Sequence, residues 1–234
     1  MAPRWKGKSA EAKALSEPMS GIVFELQSSF VESNSVGQLA GNSVLVAANR
    51  KQTELLNRSC FGHPIATADE GSQWFQLTLN EALYMRYVLR CIEIAAGEDM
   101  ARLTDEELWE HAVAADLSLR FEGYAYLRAK NWVVRDGSQY GVDFVAYRHH
   151  PSLVHSEFAV LVLPSSSSGD RLRSWSDFHC TVRLCGSVAK TLLMVCVGRR
   201  RDTGDGGGVP PWSLERYRIE ERVVTRWNPQ QCRD

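Results

Sequence analysis

The chain has 234 residues, enough for one large domain or two small ones, and 44% of them are hydrophobic, which supplies a buried core. Its 27 basic residues balance 28 acidic ones. That excludes the bulk positive field of a histone-like or polybasic binder, so any nucleic-acid surface is a local patch or is completed by a partner. No apolar run reaches the length of a membrane span. The opening M-A-P-R-W-K-G-K lacks an apolar core and does not read as a secretory signal. Cys60, Cys91, Cys180, Cys185, Cys196 and Cys232 form no C-x-x-C pair and fit no zinc template. They read as reduced, mostly buried thiols of an intracellular protein.

In chain order, residues 1 to about 20 are polar and small and predict a loosely held arm with one short helix. Gly21–Phe30 suits a short amphipathic segment, Ser43–Ala48 a short buried strand, and Gln52–Arg58 a helical turn. Gln73–Leu79 is β-like. Asn80 then reads as the cap of a helix that puts Leu83, Tyr87 and Cys91 on one face. Thr104 is a second N-cap with Glu107 at the capping-box position, ahead of Leu108, His111, Ala112 and Ala115. These elements predict a first domain over 1–115, mixing helices with a small sheet and holding no catalytic constellation.

The second domain, 116–234, changes character. Leu117–Lys130 predicts a helix with basic Arg120, Arg128 and Lys130, followed by a strand at Trp132–Arg135. Asp136-Gly137 is a hairpin-type signal. Val142–Tyr147 and His155–Leu163 read as the next two strands, and Ser165–Asp170 as a loop. Trp175–Val188 alternates at helical spacing, with Trp175, Phe178, Val182 and Cys185 on one face. Thr191–Val197 is continuously apolar, as in a central strand. A glycine-rich surface loop, Thr203–Pro211, precedes a final strand over Tyr217–Trp227. The order makes an α/β (α+β) domain with a mixed sheet flanked by helices. Arg199–Arg201 reads either as a solvated strand end or as a phosphate or nuclear-import patch.

Tyr147, His149, His150 and His155 crowd one polar stretch between two of these strands. The runs Y-L-R-A-K-N-W-V-V-R-D-G-S-Q-Y-G-V-D-F-V-A-Y, H-P-S-L-V-H-S-E-F and G-S-V-A-K-T-L-L-M-V-C-V follow in turn. In order and spacing they resemble the catalytic subunits of the tRNA-splicing endonuclease, over roughly 118–230. The opening fifteen residues resemble the plant-type members. The resemblance implies a catalytic triad of Tyr147, His155 and Lys190, with His149 and His150 as neighbours facing solvent or RNA. It implies a base-sandwiching pair, Arg183 and Trp227, and no cofactor. It also implies a nuclear heterotetramer with a second catalytic and two structural subunits, acting on intron-containing precursor tRNA. Carrying both Arg183 and Trp227 favours the 5′-splice-site cutter, with the 3′ cutter and a non-catalytic RNA-binding subunit as alternatives.

The side chains suit that chemistry. A 2′-hydroxyl attacking its own phosphodiester needs a group for its proton, an acid for the leaving oxygen and positive charge on the phosphorane. Tyrosine, with a reference pKa near 10, is a poor base unless nearby cations lower it. Histidine, near 6.5, is a competent acid. Lysine supplies a point charge. Each residue alone has an ordinary structural explanation, and Trp227 also reads as packing for the last strand. Metal chemistry fits less well. Asp143, Glu157 and Lys190 lack the E-x-K spacing of magnesium nucleases, and His149, His150, His155 and Cys180 match no zinc template.

Overall fold

Two mixed β-sheets carry the chain, one in each half. The computed structural model describes residues 3–65, 72–165, 172, 174–200 and 210–225. The first half runs α1 (Ala10–Ser16), α2 (Met19–Glu32), β1 (Val36–Ala40), β2 (Ser43–Ala48), α3 (Arg50–Ser59), β3 (His63–Ile65), β4 (Gln73–Thr78), α4 (Leu79–Leu83), β5 (Glu93–Ala96), β6 (Ala101–Arg102) and α5 (Asp105–Ala114). Its strands lie in the order β3-β4-β2-β1-β5-β6. Among the described residues only the β1–β5 pair of this sheet is parallel.

The second half runs α6 (Ser118–Ala129), β7 (Val133–Asp136), β8 (Phe144–Tyr147), β9 (Phe158–Pro164), α7 (Trp175–Ser187), β10 (Thr191–Arg199) and β11 (Tyr217–Val224). The strand order is β11-β10-β9-β8-β7. Here β9 and β10 are the parallel pair, joined through α7, and the other pairs are antiparallel. This is the α/β (α+β) mixture expected; the middle strand is β9, and β10 is an interior strand between β9 and the edge strand β11.

Several boundaries differ for local reasons. The cap of α4 is Thr78, not Asn80: its hydroxyl accepts from the Glu81 amide at 3.3 Å, and the Glu81 carboxylate answers the Thr78 amide at 2.8 Å. After α4 the chain widens into a π-helical turn, Tyr84–Val88, and Arg90 at φ 51° stops it. Cys91 therefore leaves the face shared by Leu83 and Tyr87. Asp136–Gly137 is not a two-residue hairpin. Asp136 still pairs with Phe144, and Gly137 starts a seven-residue connection, where any Cβ would meet the Phe144 backbone at 2.8 Å. Strand β9 begins at Phe158 rather than His155, because His150–Leu153 closes a turn and the His155 amide bonds Arg4. In α7, Phe178, Val182 and Cys185 pack on Ala159, Leu161 and Leu192. Trp175 is 74% exposed and stacks edge-on with Phe178 instead. The expected Ser165–Asp170 and Thr203–Pro211 loops fall largely outside the described residues.

One apolar core spans both halves. It holds Phe30, Phe61, Phe75 and Tyr87 from the first together with Phe121, Tyr124, Val160 and Val195 from the second. At the seam the ring of Trp212 stacks on Tyr87 at 4.7 Å, with Trp109 and Phe121 edge-on to Tyr87. Helix α6 lies close on β9: a Cβ on Gly123 would fall 2.5 Å from Val162, so only glycine allows this approach.

Two arginines clamp the end of α3. The buried Arg128 guanidinium donates to the Ser59 carbonyl at 3.2 Å and the Cys60 carbonyl at 3.0 Å, and lies 4.0 Å over the Phe61 ring. Arg135 donates to the Cys60 and Gly62 carbonyls at 3.2 and 3.3 Å. Cys60 sits in the left-handed region at φ 58°, which turns these carbonyls outward from the helix end.

Candidate active site

Register brings the three sequence candidates to one end of the second sheet. Ala146 of β8 pairs with Phe158 of β9, and Phe158 pairs with Thr191 of β10. One step further out, Tyr147, Glu157 and Lys190 therefore share a row. The Glu157 amide donates to Ala146 at 3.0 Å, and the Thr191 amide donates to Glu157 at 2.9 Å. Two strand spacings put the Tyr147 and Lys190 backbones about 10 Å apart. His155 is two residues before Glu157, exposed, in the segment leading into β9.

Tyr147 is half-buried, and burial pushes its phenol above the usual tyrosine value. A hydrogen bond with the buried Ser156 and the positive charge of Arg135 pull the other way, while Tyr140 adds to the rise. The phenol is therefore neutral near pH 7. It faces an open cleft of about 650 Å³ lined by Asn57, His63, Arg135, Gln139 and His150. Lys190 follows Ala189, which takes a left-handed turn at φ 53° to end α7. Its ammonium lies 4.3 Å from the Tyr140 ring centre, and its charge is felt at the buried Cys185. Tyr140 thus stands between Tyr147 and Lys190, a role the sequence reading did not assign. Nothing in the Q-Y-G that precedes V-D-F marks it.

The neighbouring histidines separate by environment. His149 is buried, and its Nε2 lies 2.8 Å from the Glu17 carbonyl, so it ties the first helices to this loop rather than facing solvent. His150 is partly buried. Its Nδ1 accepts from the Ser152 amide at 3.1 Å, and burial lowers its pKa.

The candidate acids are engaged structurally. Asp143 Oδ2 accepts from the Val162 amide at 2.9 Å, and Oδ1 is 3.4 Å from Arg120. Glu157 pairs with Arg148 at 2.9 Å, and Arg148 lies over Trp132. Among the described residues no three His, Cys, Asp or Glu cluster as metal ligands. Arg183 is exposed on α7, whereas Trp227 lies outside the described residues.

The two halves of the chain each match a known sequence family. The tRNA intron endonuclease catalytic C-terminal domain matches residues 117–205, and the tRNA intron endonuclease N-terminal domain matches residues 36–109. The chain belongs to the tRNA intron endonuclease family. Within it, the full-length similarity is to Sen2 subunits. The chain is 47% identical to tRNA-splicing endonuclease subunit Sen2-1 of Arabidopsis thaliana, across all of this chain and 98% of that one. It is 48% identical to Sen2-2 of the same plant, across 100% and 92%. Chicken (Gallus gallus) tRNA-splicing endonuclease subunit Sen2 is 30% identical over 66% of this chain but 34% of its own length.

Proposed function

We propose that this chain is a catalytic subunit of a tRNA-splicing endonuclease and cuts precursor tRNA at the 5′ splice site without a metal ion. The supporting observation is the single row that carries Tyr147 and Lys190, with His155 two residues from it. Tyr147 holds the 2′-hydroxyl. Because its phenol is neutral, it takes that proton while passing its own to solvent. The 2′ oxygen bonds to phosphorus as the bond from phosphorus to the 5′ oxygen breaks, and His155 protonates that leaving oxygen. Lys190 neutralises the charge that builds on the non-bridging oxygens. The products are a 2′,3′-cyclic phosphate and a 5′-hydroxyl, which makes the reaction a lyase step.

Arg183, on the solvent side of α7, and Trp227 are assigned to an unstacked splice-site base, since guanidinium and indole faces both suit one. The working particle is a nuclear heterotetramer with a second catalytic subunit and two structural ones. A division of the chain near residue 115 into an N-terminal domain and a catalytic domain accompanies this reading.

The test is cleavage of an intron-containing precursor tRNA by the reconstituted complex in excess chelator. His155→Ala is expected to slow the 5′ cut by about 10²–10⁴-fold and spare the 3′ cut. Loss of the 3′ cut instead would reassign the subunit. Normal cutting at both sites would make the chain a non-catalytic member, and loss of cutting in chelator would restore a metal.

A further inference from the structure

Residues 1 to about 20 are predicted from sequence to be a loosely held arm, yet Arg4–Lys6 is bound against the segment that carries His155. The Lys6 amide donates to the Leu153 carbonyl at 2.7 Å, and the His155 amide donates to the Arg4 carbonyl at 3.0 Å. Together they form an antiparallel bridge between Trp5 and Val154. His155 precedes β9 and takes no part in its ladder, so this bridge fixes its backbone.

The Arg4 side chain then reaches across the site. Its Nη2 donates to the Ala189 carbonyl at 2.7 Å and to the Ser156 carbonyl at 3.3 Å. Ser156 follows His155 directly, and Ala189 directly precedes Lys190. One guanidinium therefore joins the two segments that present these side chains, beyond the last rung of the β9–β10 ladder. Two divergent carbonyls suit a planar fork of fixed N–H groups, whereas a lysine ammonium would reach them only as a point charge. The carbonyl of Ala189 is available to such a partner, because its left-handed turn takes it out of the α7 ladder.

We infer that Arg4 is a positioning residue that sets the spacing between His155 and Lys190. The inference rests on the roles proposed for those two. Arg4 does not touch the reacting atoms. It acts by holding the acid and the phosphate-binding cation at a fixed separation, and misplacement of about 1 Å in such a pair is enough to cost about 100-fold in rate.

The experiment uses the full reconstituted complex with Arg4→Ala, Arg4→Lys and Lys6→Ala chains, assembly being checked by gel filtration. Single-turnover 5′ cleavage is followed across pH. Lys6 contributes only its backbone amide to the bridge, so Lys6→Ala is expected to match wild type. Arg4→Ala is expected to lower the maximal rate by about 10- to 100-fold with half-saturating tRNA unchanged. It is also expected to change the shape of the pH–rate profile. Arg4→Lys should recover part of the loss, and millimolar guanidinium should restore part of the Arg4→Ala rate. Wild-type cleavage by Arg4→Ala overturns the inference, as does weaker tRNA binding at an unchanged maximal rate, which would make Arg4 an RNA contact. An equal loss in Lys6→Ala, which keeps the backbone bridge, would show that the positive charge of the arm and not the Arg4 hydrogen bonds sets the rate, and also overturns it. His155→Ala is run alongside. If it cuts normally, the proposed triad fails; if it is inactive while Arg4→Ala is normal, only the role of Arg4 fails.

Discussion

The ammonium of Lys190 stands 4.3 Å from the centre of the Tyr140 ring. The ring belongs to a one-turn 3-10 helix, Ser138–Tyr140, in the connection between β7 and β8, while the lysine ends the turn after α7. An aromatic face at this distance attracts a cation by about 0.5–1 kcal/mol where solvent still reaches the pair. It therefore orients a long, flexible side chain toward the row it shares with Tyr147.

Tyr140→Phe keeps that face, so 5′ cleavage by the complex is expected within about twofold of wild type. Tyr140→Leu removes it and is expected to lose about 2- to 5-fold, the rate equivalent of the cation–π energy. Lys190→Ala should lose far more, about 10²–10³-fold, in line with deletion of a group that stabilises transition-state charge. Single-turnover rates on one precursor tRNA separate the three. A Tyr140→Leu loss as large as that of Lys190→Ala would mean that Tyr140 touches the substrate itself.

Glu122 should make the protein less stable as pH rises. The residue is on α6, 1% exposed, and neither carboxylate oxygen has a hydrogen-bond partner among the described residues. Burial pushes its pKa up to about 9. Between the unfolded value near 4.5 and about 9, the folded state holds a proton that the unfolded state has released, so stability falls as pH increases across that window. Glu122→Gln removes the dependence. Its Tm gain is expected to be small at pH 5 and to grow toward pH 8, reflecting about 3 kcal/mol near neutrality. Equal gains at both pH values would show that the carboxyl finds a partner.

Arg128 should be worth more to stability than its position near a helix end suggests. Arg128→Leu leaves the Ser59 carbonyl without its donor, and the Cys60 carbonyl with Arg135 alone. An unsatisfied buried carbonyl costs about 1–3 kcal/mol. For a chain of this size the loss corresponds to a Tm lower by roughly 2–12 °C. Arg135→Leu, at a less buried site with the same turn still held by Arg128, should cost less. Thermal melts of the two single variants rank them. A double variant no worse than Arg128→Leu alone would show that Arg135 adds nothing to the clamp.

The elements most legible in the sequence were those with a local cause. Thr104 and Glu107 spell a capping box, and both side of that exchange form, at 2.9 and 3.2 Å. Thr191–Val197 is apolar without alternation because both faces are covered: Leu193, Val195 and Val197 enter the main core, while Leu192 and Met194 pack with α7. What could not be read depended on distant partners. The short strands β1 and β5 pair with each other across more than fifty residues, and V-G-Q-L-A shows no strong period by itself. Gly37 there faces Val44 so closely that a Cβ would fall 2.5 Å from it. The fixed arm at Arg4–Lys6 is held by residues 153–156 and 189, nearly the whole chain away, and its own composition carries no trace of that. Of the candidate site, Tyr147, His155 and Lys190 were singled out only through the motifs around them. Tyr140 and Ser156 were not, because a tyrosine in a turn and a serine before a strand gain meaning only from what they touch.

The seam between the two sheets bears on how this polypeptide can be divided. Trp212, Phe121 and Tyr124 of the later half interlock with Tyr84, Tyr87 and Trp109 of the earlier one. A fragment begun at 116 would carry every proposed catalytic side chain into solution with those rings bare. Such a fragment would aggregate during expression instead of serving as a minimal nuclease, and subunit exchange or grafting experiments should move both halves together.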